Sequence, residues 1–562
     1  MGELADKCGE NETDTNHNTN NNNNTAAMTT VINGSINDTY DIIEDIEVGL
    51  DRAKACGRFQ IVLQFVTMYL ILTTGYQGLF SYFIFDDPPW RCDPNITNTT
   101  SKFCRTYQNL TFPGKNTSRC TIPRKDWIYT RESKYSVVTE YDLVCDQVAA
   151  AATASSALYI GGLIGVMVAG KVGDMWGRKP VIILCLFVTT VLSIGSGFVT
   201  SVWQLTVLRG ILGAFYVSYF TIAYVLLMEY VAPKYRTASG IMFNTMFCLS
   251  LILLTGVAYL VPRWRDLQIY CSLPALLALI FMIFFVPESP RWLLAMQRNE
   301  AAATNLRKVA AHNGRSLPTL ALRAANEEIT NYTYFDLLRY GKVAMITTSQ
   351  GLLWMTSAVI YYTLGLESSS IGGDMYLVFI YSQLAEIPSN LVTIFCCDFF
   401  GRKKTILGSL LVAGVFTACI SIQVGDAHDR YIFNLTMAIL AKFFVTVTYN
   451  GTYVWAFEVF PTVVRSQGVG FCSICERIGG LVAPYFVGVL QEANPILPFV
   501  IMGILAAGSS VIGLIQPETN KLPTRELFED FYEKDVEETF EDPPPTKKKV
   551  IERVNPMYEG SE

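Results

Sequence analysis

The stretch GKVGDMWGRK, Gly170 to Lys179, returns as CDFFGRKK, Cys397 to Lys404. Two further pairs recur at nearly the same distance. Glu229 and Arg236 return as Glu458 and Arg465, and PESPRW from Pro287 returns, shortened, as PET from Pro517. The offsets are 224 residues for Asp174 to Asp398, 229 for both the Glu and the Arg pairs, and 230 for the prolines. Such agreement over separate motifs marks an internal duplication. Duplicated membrane halves are how many secondary transporters build alternating access, with the binding site between the two halves.

The composition places both halves in a bilayer. The chain has 562 residues, 51% apolar, 12% aromatic and only 16% charged, with a mean hydropathy of +0.30, which is too apolar for two ordinary soluble domains. Runs long enough to span lie near 59–85, 148–169, 180–200, 203–228, 238–261, 267–286, 343–364, 375–397, 405–424, 431–457, 468–490 and 496–515. The expected fold is an all-α membrane protein of twelve transmembrane helices in two pseudo-symmetric six-helix bundles. The expected division is a disordered cytosolic start (1–58), a first bundle (59–286), a cytosolic linker (287–342), a second bundle (343–515) and a cytosolic tail (516–562).

Lys and Arg set the orientation. One set of loops carries Lys171, Arg178, Lys179, Lys234, Arg236, Arg402, Lys403, Lys404 and Arg465, with the basic stretch Arg291 to Lys342 and the tail Lys547 to Lys549. The opposite short loops offer only Arg263, Arg265 and Arg430. Both termini are therefore expected in the cytoplasm, and the segment from about 86 to 147 outside the plasma membrane. Residues 1–58 lack an apolar core, so the first membrane helix is expected to act as the signal.

That outer segment contains Cys92, Cys104, Cys120 and Cys145 beside sequons at Asn95, Asn98, Asn109 and Asn116. Four cysteines in an oxidising compartment read as two disulfides in one of three pairings. The sequons read as glycan sites. The asparagine-rich stretch from Asn18 is low-complexity.

The repeated charged turns have a physical task. Asp174, Arg178, Glu229 and Arg236 in the first half, and Asp398, Arg402, Glu458 and Arg465 in the second, are expected to pair on the inner face when that side is shut and to part when it opens. Several exposed pairs in a network can set a bias of a few kcal/mol between two states. Topology signalling alone would explain the basic residues but not the acids at matched positions.

The turn GKVGDMWGRK resembles the loop signature of the major facilitator superfamily. SVVTEYDLVCDQ at Ser136 to Gln147, GVAYLVPRWRDLQ from Gly256, PESPRWL from Pro287 and EVFPTVVRSQGVG from Glu458 resemble the organic cation, organic anion and carnitine transporter family within it. A glycosylated, disulfide-bonded loop between helices 1 and 2 is also that family's mark, although its cation transporters usually carry six loop cysteines where this loop has four. The likeness runs from about Gly57 to Pro523. It implies a carrier of small organic ions.

Ionisable residues in the bilayer core cost about 2.5–3.5 kcal/mol each on insertion scales, so they default to functional candidates. Glu386 in helix 8, Lys442 in helix 10, and Glu476 with Arg477 in helix 11 qualify. The resemblance adds Trp354, Tyr361 and Tyr362 in helix 7 and Phe220 in helix 4 as cavity-lining aromatics, suited to stacking and cation–π contact. Aligned on Gly479, Gly480 and Pro484, Arg477 stands where the family's cation transporters carry Asp and its anion and carnitine transporters carry Arg. A fixed guanidinium fork favours a carboxylate, hence an anion or a zwitterion. Glu386 and Glu476 keep a simple cation as the alternative.

At about 100 mV, inside negative, each charge moved is worth about 2.3 kcal/mol. Cation uptake can therefore run by uniport, whereas anion uptake needs coupling to sodium or to an exchanged anion. No metal-spaced cluster, phosphate-cradling loop or activated nucleophile is present in the sequence, so no enzyme activity, cofactor or metal is expected. The expected partners are a small organic ion, a coupling ion and the lipid bilayer, with no nucleic acid. A receptor that kept a transporter fold is the rival reading from another class.

Overall fold

A computed structural model of the chain describes residues 41–43, 46–54, 57–94, 102–106, 110–112, 117–317, 320–322, 334–339, 341–367, 374–422, 426–461 and 464–520. The sequons at Asn95, Asn98, Asn109 and Asn116, the stretch from Asn18 and the tail after Pro523 lie outside the described residues.

Among the described residues the long helices are α1 (Arg58–Leu79), α2 (Val148–Trp176), α3 (Arg178–Ser196), α4 (Val202–Tyr230), α5 (Pro233–Leu260) and α6 (Trp264–Phe285), then α7 (Gly341–Leu366), α8 (Met375–Phe400), α9 (Arg402–Cys419), α10 (Ala427–Val459), α11 (Arg465–Tyr485) and α12 (Leu497–Gly513). Ten of these are long and apolar enough to cross a bilayer. The other two are α9, whose first turn holds Arg402, Lys403 and Lys404, and α12, which is 17 residues long.

Several helices run past the ends read from hydropathy. Helix α10 has 33 residues, or about 50 Å at 1.5 Å per residue, well beyond a hydrocarbon core of about 30 Å. A charged residue ends an apolar run, but it does not end the backbone hydrogen-bond ladder. The break between α3 and α4 comes at Ser201, whose side chain accepts from the Gln204 amide and caps α4.

Within the first half α2 packs on α4, α3 on α4 and α6, and α1 on α5 and α6; within the second, α7 packs on α11, and α9 on α10 and α12. The halves meet along α2 with α11 and α5 with α8. Large apolar side chains on the outward faces, such as Phe284 and Phe395, are exposed, as expected where lipid replaces water as solvent.

The segment between α1 and α2 forms a small sheet. Its strands are β2 (Trp90–Cys92), β3 (Thr111–Phe112) and β4 (Trp127–Tyr129), with β2 antiparallel to both others. Before it, β1 (Asp41–Ile43) pairs in parallel with β5 (Leu320–Leu322) of the linker. Of the three pairings open to the four cysteines, the structure joins Cys92 to Cys104 and Cys120 to Cys145. This segment is fastened to the first half: Arg265 Nη2 donates to Glu140 Oε1 at 2.8 Å and Trp264 Nε1 to Oε2 at 2.6 Å. The end of the molecule bearing it is called the outer end below.

Candidate functional site

The duplicated motifs build two matching clusters at the inner ends. Arg178 lies 2.7 Å from Asp174 and 3.2 Å from Glu229; Arg402 lies 3.2 Å from Asp398 and 3.0 Å from Glu458. The preceding residues Gly177 and Gly401 have φ of 100° and 92°, a region costly for any side chain. Beside each glycine sits the glutamate of the PES or PET motif. Glu288 accepts from the Arg178 and Lys179 amides, and Glu518 from those of Arg402 and Lys403, so each caps the exposed N-terminus of the next helix.

These contacts redistribute the expected pairs. Glu458 meets Arg402 rather than Arg465, and Glu229 meets Arg178. Arg465 Nε donates to the Phe460 carbonyl and Arg236 Nε to the Val231 carbonyl, each at 3.2 Å. Those carbonyls close α10 and α4, where a cation complements the helix end. Each cluster is assembled within its own half.

Contacts between the halves lie at the middle and towards the outer end. Tyr82 and Phe83 pack on Phe379, and Phe83 stacks on Tyr376. Tyr259 also meets Tyr376. Ser156 Oγ donates to the Leu481 carbonyl at 2.8 Å, and the Thr153 and Tyr485 hydroxyls are 3.0 Å apart. One apolar cluster accordingly runs from the outer part of the first half into the second, whereas another is confined to the inner part of the first half and the linker.

The intramembrane charges form two pairs. Lys442 Nζ is 3.0 Å from Glu386 Oε1 and 3.1 Å from the centre of the Tyr361 ring. Tyr361 Oη and Cys248 Sγ each lie 3.2 Å from Glu386 Oε2 and donate to it. Arg477 Nη1 is 3.2 Å from Glu476 Oε1, and the Glu476 carboxylate also accepts from Tyr449 at 2.6 Å and Tyr453 at 2.8 Å. Hydrogen bonds of this kind are what make buried charge tolerable.

A narrow cavity of ≈ 30 Å³ lies between the halves, lined by Tyr159, Tyr216, Tyr362, Phe247 and Arg477. Sequence reasoning named Tyr362 and Arg477 but not the others. Gly480 makes the fit possible, since a methyl there would come 2.5 Å from the Tyr159 ring. Tyr159 and Tyr362 meet at 5.1 Å, and Tyr361 stacks on Tyr449 at 5.3 Å. Of the four aromatics expected to line it, Tyr362 does so, whereas Tyr361, Trp354 and Phe220 lie outside its lining. Trp354 packs on Tyr453 at 4.0 Å, buttressing the ring that holds Glu476. Phe220 packs on Phe243 and Phe247, one turn from Tyr216. The spacing of Tyr449 and Tyr453, four apart on α10, was the available signal for a shared face, but it could not reveal the partner.

The family described as Sugar (and other) transporter matches residues 114–531. The chain is 33% identical over 415 residues to solute carrier family 22 member 1 of Bos taurus, covering 72% of each protein. It is 29% identical over 512 residues to the organic cation transporter protein of Drosophila melanogaster, covering 84% of this chain and 92% of that one. Human solute carrier family 22 member 2 matches at 32% over 428 residues, 74% of this chain and 75% of that one. Among solved structures, a D-xylose-proton symporter superposes with a TM-score of 0.56 at 15% identity, over 83% of this chain and 99% of the other. The shared fold, the duplicated clusters and these similarities together show that the chain belongs to the organic cation, organic anion and carnitine transporter family, solute carrier family 22, of the major facilitator superfamily.

Proposed function

We propose that the protein is a polyspecific carrier that moves small organic ions across the plasma membrane by alternating access, with both termini in the cytoplasm. The observation that carries the reading is the pairing of charges at the interface of the halves. Two acids and two bases, Glu386 with Lys442 and Glu476 with Arg477, sum to zero among stacked tyrosines. A site of this balance suits a zwitterion, whose ammonium replaces Lys442 beside Glu386 and Tyr361 while its carboxylate meets Arg477. An organic anion would use the Arg477 side alone. A cavity of ≈ 30 Å³ is too small for such a solute, so binding requires the halves to part.

The cation reading has its own support. The Lys442 ammonium over the Tyr361 face and against Glu386 shows a place where a positive charge is well held. Relatives also carry the name organic cation transporter. The test is uptake of labelled tetraethylammonium, carnitine and para-aminohippurate by cells expressing the chain, each with and without sodium. Uptake of carnitine or hippurate that is lost in Arg477→Asp supports the zwitterion or anion reading. Uptake of tetraethylammonium alone, unchanged in Arg477→Asp, overturns it in favour of a simple cation uniporter. No uptake of any probe with the protein at the surface favours a receptor.

A further inference from the structure

A second cavity, of ≈ 90 Å³, opens at the outer end. Its wall includes Asp86, Asp87 and Arg119 with Tyr82, Ser155 and Leu366. It stands directly above the central cavity. Tyr82 lies one helical turn from Gly78, Ser155 one turn from Tyr159, and Leu366 one turn from Tyr362, the second member of each pair lining the central space. One turn is about 5.4 Å, so the Tyr159–Tyr362 contact is the floor between the two.

The charges in its wall are arranged for exchange. Arg119 is borne by the disulfide-linked segment, next to Cys120, and grips Asp87 with both terminal nitrogens, at 2.9 and 2.5 Å. Its side chain is only 3% exposed. Asp86 accepts from Tyr135 at 3.2 Å. Tyr82 lines the cavity, and its buried hydroxyl has no hydrogen-bond partner, which is costly unless a solute or water supplies one. Among nearby cations, Arg209 is turned away beneath Ser81, bonded to the Ala154 carbonyl and to Ser81 Oγ, and Arg131 lies over the Tyr135 ring at 5.5 Å. The wall thus holds two carboxylates, Tyr82 and a guanidinium paired to one of those carboxylates.

We propose that this cavity is a staging site for the cationic end of the solute, the ammonium of a zwitterion or of a simple organic cation, held by Asp87 and Asp86 in exchange for Arg119 before it passes Tyr82 to the central site. Arg119 is a tethered competitor: it occupies the site when no solute is present. The cavity is walled by the segment that follows α1 (Ser81 to Asp87), α2 and the disulfide-linked loop on one side, and by the outer end of α7 and the end of α11 with the residues just after it on the other. Rocking of the halves therefore opens and closes it together with the central site.

This inference rests on the carrier reading for its meaning, and its test is a binding measurement that does not require transport. The purified full-length protein is titrated with tetraethylammonium, and the rise in thermal midpoint is followed for the wild type, Asp87→Asn, Arg119→Gln and Glu386→Gln. Asp87→Asn keeps an oxygen for Arg119 and should raise the half-saturating concentration about tenfold, the worth of one charged contact. Arg119→Gln should lower it, and both shifts should persist in a Glu386→Gln background. A half-saturating concentration unchanged in Asp87→Asn, shifts that vanish in the Glu386→Gln background, or no stabilisation of the wild type would each overturn the staging site. Failure of the carrier reading looks different: no probe is taken up by cells although the Asp87-dependent stabilisation remains.

Discussion

The Lys442 ammonium and the Glu386 carboxylate meet at 3.0 Å with both side chains almost fully buried, at 2% and 3% exposure. Neither α10 nor α8 could carry its charge at this depth without the other. Removing one partner of a buried pair leaves an uncompensated charge and typically costs about 3–5 kcal/mol, whereas replacing both is often close to neutral. Lys442→Met and Glu386→Gln should each lower the thermal midpoint of the detergent-purified protein sharply. The double variant should recover most of the loss, which a double-mutant cycle would measure. Additive losses would mean that the pair is not coupled.

The inner clusters predict symmetric effects in the two halves. Arg178 and Arg402 are 13% and 14% exposed, so their ion pairs are only partly screened, and Arg→Ala at either should cost on the order of 1–3 kcal/mol. Glu288→Gln and Glu518→Gln weaken a helix cap rather than remove an arginine, and should cost about 1 kcal/mol or less. Unfolding midpoints of the four variants check the ranking. Equal losses for caps and arginines would contradict it.

Acid should loosen the joint between the disulfide-bonded segment and α6. Burial acts to raise the pKa of Glu140, but hydrogen bonds from Arg265 and Trp264 outweigh it and hold the carboxyl below its ordinary value of 4.5. A depressed folded-state value means that the clamp's contribution is complete above the unfolded-state value and is lost as pH falls through the lower folded-state value. The thermal midpoint should therefore drop as pH is lowered below about 4.5 in the wild type, with that component absent from Glu140→Gln. Differential scanning at several pH values would read it, and an identical acid profile in the variant would sink the assignment.

Close backbone approach between α2 and α4 depends on missing side chains. A methyl at Gly161 would collide with the Gly210 carbonyl, and one at Gly213 with the Leu158 carbonyl. Gly161→Ala and Gly213→Ala should destabilise, because the obstructing atoms are backbone and cannot swing aside. Gly170 has open space around its missing methyl, and Gly170→Ala should stabilise by up to about 1 kcal/mol through helix propensity. Monodisperse yield and unfolding midpoint would separate the three.

Much of this molecule was legible in the residue order. The recurrence of GKVGDMWGRK as CDFFGRKK disclosed two related halves, and unbroken apolar runs marked the spanning helices, because bilayer insertion depends on local composition. The same logic singled out Glu386, Lys442, Glu476 and Arg477, since a charge in hydrocarbon is costly wherever its neighbours lie. Partner choice was not local. Arg402 meets Glu458 across 56 residues and Arg178 meets Glu229 across 51, while the equally spaced Arg465 and Arg236 each donate to the carbonyl that closes a helix. Tyr449 and Tyr453 became carboxylate ligands only because α11 brings Glu476 against α10. Trp354 became a buttress because Tyr453 fills the space beside it. The sequence alone determined which groups are costly to bury; the packing of helices distant in the chain decided which groups meet them, because an ion pair or hydrogen bond depends on separation in space rather than along the chain.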